Sequence, residues 1–103
     1  MFKEISVEQA SQMLTSGKAL FVDVRDMSSY EAAHVPGALL LNDGNIEDFV
    51  KKTEKTQPIV CYCYHGITSQ GAAAYLEDQG FKDVYSVMGG FETWRQTQEI
   101  ESD

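Results

Sequence analysis

The chain has 103 residues, of which 43% are hydrophobic and 11% aromatic, and this length and composition fit one compact domain over residues 1–103. Its 16 acidic and 8 basic residues give a formal charge of −8. Such a charge repels a nucleic acid duplex and an anionic membrane surface, so neither is expected as a partner.

Compartment is indicated by the first residues and by the two cysteines. Met1 to Ile5 lack the basic start and apolar stretch of a secretory signal. Cys61 and Cys63 stand only two positions apart, which is a poor basis for a disulfide scaffold. We therefore expect a reduced, cytoplasmic protein.

Helices and strands are predicted to alternate from the start of the chain. Ser6-Val7-Glu8-Gln9 has the pattern of a capping box, which opens a helix that Gly17 stops. The apolar run from Ala19 to Val24 predicts a buried strand. Ser28-Ser29-Tyr30-Glu31 opens a short helix, and Pro36-Gly37 ends it.

The second half of the chain continues this alternation. The pattern predicts a strand over 38–41, a helix over 45–52, a strand over 59–62, a helix over 69–79, a strand over 83–87 and a helix over 90–96. Alternation with short loops is typical of an α/β fold with a mainly parallel sheet and helices on both faces. Chemistry in such sheets gathers at the carboxyl ends of the strands, where Cys63 falls.

Cys63 is the strongest candidate for a reactive group. The helix predicted to follow it has unpaired amides and a positive dipole end, and a loop curled around the sulfur would add further amides. Gly66 permits such a curl, and Thr68 or Ser69 can cap the helix and offer a hydroxyl. Surroundings of this kind lower a thiol pKa from about 8.5 to roughly 3.5–7.5. We therefore predict that Cys63 is a thiolate nucleophile able to hold a second sulfur as a persulfide.

The remaining cysteine and histidines are assigned structural or open roles. Cys61 falls inside a predicted strand and is interpreted as a core residue. Neither the Cys-x-x-Cys spacing of redox sites nor a usual zinc spacing is present, so no metal is expected. His65 either assists Cys63 or points to solvent, and His34 is expected to order the turn before Pro36. Asp23 and Arg25 are expected to form an ion pair or a cap.

Three segments in order resemble the signatures of the rhodanese family. The N-terminal signature is matched by Phe21 to Asp26, followed by Tyr30-Glu31 and His34 to Ala38. The C-terminal signature is matched by Tyr85 to Trp94. Between them, Cys63 to Ser69 resembles the active-site loop, and its Cys-Tyr-His-Gly opening is similar to that of single-domain GlpE-type thiosulfate sulfurtransferases. The resemblance covers nearly the whole chain and implies a single rhodanese-like domain with about five strands.

The resemblance also implies a ping-pong reaction without a cofactor. A sulfane sulfur passes from thiosulfate to the catalytic Cys63, sulfite leaves, and the persulfide sulfur moves to cyanide, a dithiol or a thioredoxin-like protein. Asp23 and Arg25 are implied to be structural framework. Many family loops carry arginine or lysine for the dianionic donor, whereas this loop has neither. The substrate-binding residues implied around Cys63 are Tyr64, His65, Gly66, Ile67, Thr68 and Ser69.

The same sequence features suggest three alternatives to a thiosulfate sulfurtransferase. Dual-specificity phosphatases share the fold, but their longer loop ends in an arginine that clamps phosphate, and Ser69 stands there instead. A non-catalytic interaction module is disfavoured by the presence of Cys63. A relay that takes its persulfide from a partner protein stays open.

Overall fold

The computed structural model describes residues 1–103 and contains one parallel sheet of five strands in the order β1-β5-β4-β2-β3. Every strand pairing is parallel. The strands are β1 (Lys3–Ile5), β2 (Leu20–Asp23), β3 (Leu39–Leu40), β4 (Ile59–Tyr62) and β5 (Val84–Val87). The helices are α1 (Val7–Ser16), α2 (Met27–Ala32), α3 (Ile46–Lys52), α4 (Thr68–Asp78) and α5 (Gly90–Thr97).

Two hydrophobic clusters cover the two faces of this sheet. Alternate residues of β4 point to opposite faces, so Val60 and Tyr62 join one cluster while Ile59 and Cys61 join the other. The first cluster takes residues from α1 and α5, and the second takes residues from α4 with α3 packed against it. The prediction of a mainly parallel sheet of about five strands with helices on both faces is confirmed.

The capping box at the start of α1 is confirmed by its hydrogen bonds. Ser6 Oγ accepts from the Gln9 amide at 3.1 Å, and Gln9 Oε1 accepts from the Ser6 amide at 2.9 Å. Gly17 ends the helix with a left-handed φ of 73°. None of the helices combines the length and the apolar character that crossing a bilayer requires.

The structure differs from the sequence-based prediction at β1 and at both ends of α2. The sequence pattern did not reveal β1, because two of its three residues are exposed and its parallel pairing with β5 joins distant parts of the chain. Helix α2 begins at Met27, one residue before the predicted opening at Ser28, and Asp26 caps it by accepting from the Ser29 amide at 3.0 Å. The helix ends at Ala32, before Pro36-Gly37, because Ala33 is already extended. His34 then pairs with Glu101. The other elements lie within one or two residues of their predicted bounds.

Candidate active site

Cys63 directly follows β4, the middle strand of the sheet, and four residues separate it from Thr68, the first residue of α4. The predicted position between a strand and a helix is confirmed. Its side chain is 6% exposed and both cysteines are free thiols. Cys61 lies inside β4 and packs in the second hydrophobic cluster, as predicted for a core residue.

Three groups of the following loop converge on the Cys63 sulfur. The amide nitrogens of Gly66 and Ser69 each donate to Sγ at 3.2 Å. The Ser69 hydroxyl oxygen makes a third hydrogen bond with Sγ at 3.3 Å. The loop therefore forms the predicted nest of donors around one anion-binding point.

The sulfur also takes the place of a helix cap. Ile67 is the N-cap residue of α4 and provides no side-chain cap, while the Ser69 amide of the first turn donates to Cys63 Sγ. The prediction that Thr68 or Ser69 caps this helix is therefore wrong. The Ser69 side chain is buried against the sulfur and Thr68 faces solvent, so neither hydroxyl caps a free amide of its own helix.

The surroundings of Cys63 shift its ionisation. Burial opposes the charged form most strongly, but hydrogen bonds from the Ser69 hydroxyl and from the amides of Ser69, Gly66 and His65 outweigh burial and lower the pKa of Cys63. Burial, with a smaller contribution from the nearby Cys63, raises the pKa of Cys61 to about 12. Of the two thiols, only Cys63 therefore has surroundings that favour the nucleophilic thiolate.

Gly66 is required by the shape of the loop. Its φ of 87° lies in the left-handed region, and a Cβ at this position would lie 2.9 Å from both Gly89 N and Val87 O. The loop thus presses its backbone directly against the turn between β5 and α5. This close approach aims the Gly66 amide at the sulfur.

This turn and the start of α5 hold the loop from the other side. The Phe91 amide donates to the Cys63 carbonyl at 2.8 Å, and the Glu92 amide donates to the Tyr64 carbonyl at 3.0 Å. Gly90 has a φ of 59°, and a Cβ there would lie 2.5 Å from the Cys63 carbonyl oxygen. Sequence reasoning assigned no role in the site to this turn, although a glycine pair between a strand and a helix was the available signal.

Comparison with known proteins decides the family. The model of the rhodanese-like domain family matches residues 6–97. The chain belongs to the rhodanese family. It is 48% identical over 93 residues to the thiosulfate sulfurtransferase GlpE of Pseudoalteromonas translucida, which covers 90% of this chain and 89% of the relative. It is 44% identical over 95 residues to the thiosulfate sulfurtransferase GlpE of Coxiella burnetii, at 92% and 89% coverage.

A solved structure gives the same fold. The crystal structure of a rhodanese-like domain protein from Staphylococcus aureus superposes with a TM-score of 0.83 at 27% sequence identity. The match covers 99% of each chain. The five-stranded parallel sheet with helices on both faces is therefore a rhodanese fold.

Asp23 and Arg25 form the framework beside this rhodanese loop. The Arg25 guanidinium pairs with the buried Asp23 carboxylate at 2.7 Å and donates to the Ala33 carbonyl at 2.6 Å. Its central carbon lies 4.1 Å from the centre of the Phe91 ring and 5.0 Å from that of Tyr64. The expected ion pair is confirmed, and it also supports the first loop residue after Cys63.

The six loop residues predicted to bind substrate divide into two groups. Gly66 and Ser69 are buried and hold the sulfur, whereas the side chains of Tyr64, His65, Ile67 and Thr68 are exposed. The Tyr64 hydroxyl donates to Ser29 Oγ at 2.9 Å, which ties the rim of the loop to α2. Substrate binding by these six residues stays a prediction.

No enclosed cavity surrounds the nucleophile. A cavity of about 350 Å³ opens at the carboxyl ends of β2 and β3, where Arg25, Asn42 and Asp43 are among its lining residues, but Cys63 does not line it. The rhodanese loop instead meets solvent directly through its exposed residues.

His34 lies outside the loop and has the structural role that was expected. Its Nδ1 hydrogen bonds with the Tyr30 carbonyl at 2.6 Å, and its ring stacks on the Tyr30 ring at 4.0 Å. Glu101 bonds both to His34 Nε2, at 3.2 Å, and to the Gly37 amide, at 2.8 Å. His34 therefore orders the turn before Pro36 and fastens the last residues of the chain. No three histidine, cysteine or acidic side chains converge to hold a metal ion.

Proposed function

We propose that this protein is a thiosulfate sulfurtransferase and that Cys63 is its nucleophile. The observation that carries the proposal is the convergence of the Gly66 amide, the Ser69 amide and the Ser69 hydroxyl on Cys63 Sγ. The two relatives at 44% and 48% identity, both named thiosulfate sulfurtransferases, support the reaction.

The first half of the reaction loads sulfur onto Cys63. The thiolate attacks the outer sulfur of thiosulfate, a bond forms between the two sulfurs, and the S–S bond of thiosulfate breaks. Sulfite leaves with the bonding electron pair, and Cys63 becomes a persulfide anion. No proton or external oxidant is needed, because one S–S bond forms as another S–S bond breaks. The total charge stays at about −3, with about one negative charge on the thiolate or persulfide and about two on thiosulfate or sulfite.

The second half transfers that sulfur to a thiophilic acceptor. Cyanide or a thiolate attacks the outer persulfide sulfur, and the electron pair of the S–S bond returns to Cys63 as a thiolate. Thiocyanate or a new persulfide is the product, with a dithiol or a thioredoxin-like protein as the thiol acceptors proposed here. Because the cycle starts from a free thiol and both cysteines are free, a reducing cytoplasm is part of this proposal.

The two groups of loop residues have different tasks in this proposal. Gly66 and Ser69 stabilise the sulfur of Cys63, while the exposed side chains of Tyr64, His65, Ile67 and Thr68 form the mouth through which the donor approaches. The loop has no lysine or arginine, and the guanidinium of Arg25 is already paired with Asp23. The sulfonate oxygens of thiosulfate therefore meet hydrogen-bond donors of the loop, with the His65 side chain among them.

The loop argues against phosphate chemistry. A phosphatase of this fold clamps its dianion with an arginine at the end of the loop, but here Ser69 occupies that position and turns its hydroxyl to the sulfur. A non-catalytic module has no need of a thiol whose pKa is lowered. A persulfide relay would use the same loop and differ only in the source of sulfur.

Steady-state assays test this assignment. Thiocyanate formation from thiosulfate and cyanide should occur with the wild-type protein, persist in Cys61→Ser and vanish in Cys63→Ser. An aryl phosphate should not be hydrolysed by any of the three. Phosphatase turnover by the wild-type protein, or thiocyanate formation by folded Cys63→Ser, would overturn the proposal.

A further inference from the structure

Ser86 is a buried polar residue of β5 to which the proposed reaction assigns no role. It is fully buried, and its hydroxyl lies 2.8 Å from the Ser69 hydroxyl, which in turn lies 3.3 Å from Cys63 Sγ. We propose that Ser86 is a positioning residue that acts on the Cys63 thiolate through Ser69. This inference rests on the proposed role of Cys63 and assigns a residue outside the loop to the same reaction.

The position of Ser86 is one where an apolar side chain would be expected. Val84 lies on the same face of β5 as Ser86 and packs in the second hydrophobic cluster. Cys61, which is paired with Ser86 on the adjacent strand β4, packs in the same cluster. A hydroxyl in such surroundings is unfavourable unless it is hydrogen bonded. Its one hydrogen-bond partner is the Ser69 hydroxyl, so the two serines depend on each other.

The number of hydroxyl protons fixes the direction of this chain when Cys63 is ionised. Ser69 has one O–H group, which donates to the thiolate because the thiolate has no proton and can only accept. The Ser69 oxygen then accepts from the Ser86 hydroxyl, so the bonds run from Ser86 to Ser69 to the sulfur. Each bond polarises the next, and the donor that faces the anion is strengthened.

The hydrogen bonding of the two serines is less favourable when Cys63 is a protonated thiol. If the Cys63 S–H donates to Ser69, the Ser69 proton turns to Ser86, and the proton of Ser86 is left without an acceptor in a fully buried place. If Ser69 continues to donate to the sulfur, it bonds a neutral thiol, which is a weak acceptor. In both arrangements the pair of serines favours the thiolate over the thiol.

Charged and titratable neighbours do not account for this effect. The Ser86→Ala substitution leaves all of them in place, so a change in the pKa of Cys63 would report the hydroxyl itself. These neighbours are Cys61 on β4, Tyr64 and His65 in the loop, Asp23 at the end of β2 with Arg25 beyond it, Glu92 on α5 and Glu4 on β1.

The experiment measures the alkylation rate of Cys63 against pH in Ser86→Ala, with Cys61→Ala as the matched control. Cys61 is the register neighbour of Ser86 on the same face of the sheet, and its removal also takes one heavy atom from this layer without touching the serine chain. Ser86→Ala should lower the ratio of thiolate to thiol at a given pH by about twofold to fivefold, as expected when a charged hydrogen bond loses its polarising neighbour. Cys61→Ala should leave the pKa of Cys63 as in the wild type.

A double-substitution cycle shows whether the effect passes through Ser69. In a Ser69→Ala background, Ser86→Ala should produce no further change in the pKa of Cys63, because the link between them is already gone. Ser86→Thr, which keeps a hydroxyl at the same carbon, should retain the wild-type pKa. The wild-type pKa in folded Ser86→Ala, or an equal change in both backgrounds, would overturn the inference.

The outcome is separable from that of the proposed function. Sulfur transfer by Cys63→Ser would contradict the role of Cys63 itself. Loss of sulfur transfer in Cys63→Ser, together with an unchanged pKa of Cys63 in Ser86→Ala, would contradict the role of Ser86 alone. In Ser86→Ala, kcat/KM for thiosulfate at neutral pH should fall in step with the thiolate fraction and recover at high pH, which a general packing defect would not produce.

Discussion

Ser69 gives the Cys63 sulfur two hydrogen bonds from one residue, through its amide nitrogen at 3.2 Å and its hydroxyl oxygen at 3.3 Å. The amide is held by the first turn of α4 and the side chain is fully buried, so neither group has to be ordered when the thiolate forms. Preorganised donors of this kind stabilise an anion without reorganisation.

Ser69→Ala tests the hydroxyl separately from the amide. A hydrogen bond to a charged group contributes about 1.5–3 kcal/mol, so the pKa of Cys63 should rise by about one to two units. Since the thiolate is the reactive form, alkylation at pH 7 should slow, and the rates of variant and wild type should converge at high pH. Thr68→Ala, which removes the exposed hydroxyl of the preceding residue, is the control. A pKa that rises equally in both variants would contradict a specific bond from Ser69.

Gly66→Ala tests the shape of the loop. The added methyl would lie 2.9 Å from the backbone of the turn after β5, so the loop must move and its amide must leave the sulfur. Losing that charged hydrogen bond should slow sulfur transfer by about tenfold or more. Gly17→Ala is a matched control, because Gly17 also has a left-handed φ but open space around it. It should lower the free energy of unfolding by roughly 1–2 kcal/mol and leave turnover intact. Equal turnover by Gly66→Ala and Gly17→Ala would count against the close approach.

His65→Ala tests the mouth of the site. The His65 side chain is exposed, and its backbone amide, not its imidazole, contributes to the lowered pKa of Cys63. The substitution should therefore raise KM for thiosulfate several-fold while the pKa of Cys63 stays near the wild-type value. Steady-state kinetics and alkylation rates against pH measure the two effects. A pKa restored to that of a free thiol would mean that the imidazolium, and not the amides, stabilises the anion.

Arg25→Ala tests the framework beneath the loop. Removal of one partner of a buried ion pair leaves an uncompensated charge, and Asp23 is fully buried, so the free energy of unfolding should fall by about 3–5 kcal/mol. Lys52→Ala is the control, because the Lys52–Asp48 pair is exposed on α3 and its loss should change stability by less than about 1 kcal/mol. Chemical denaturation of both variants measures the difference. Similar unfolding curves for the two would show that the Arg25–Asp23 pair has no structural importance.

The sequence allowed Cys63 to be located because its signals are local. An apolar strand, a glycine-containing loop and a helix of small residues follow one another within 59–79 and fix where the sulfur stands relative to α4. The prediction that Thr68 or Ser69 caps α4 was wrong because the Ser69 amide donates to the Cys63 sulfur. This contact depends on how the loop folds, which the local spacing of residues does not show.

Sequence patterns did not predict contacts between residues in distant parts of the chain. The hydrogen bond between Ser69 and Ser86 depends on β5 lying beside β4, and the contact of Arg25 with Tyr64 depends on β2 lying on the other side. A serine within an apolar strand was the available signal for Ser86. Strand β1 was missed for the same reason, since its pairing with β5 joins segments that lie far apart in the sequence.

The intact mass of the protein before and after exposure to thiosulfate tests the central claim most directly. We predict that the wild-type protein and Cys61→Ser gain the mass of one sulfur atom and lose it again when cyanide is added. Folded Cys63→Ser should keep its original mass throughout. A sulfur adduct on Cys63→Ser, or a wild-type protein that never gains one, would contradict the role of Cys63 as the carrier of sulfur.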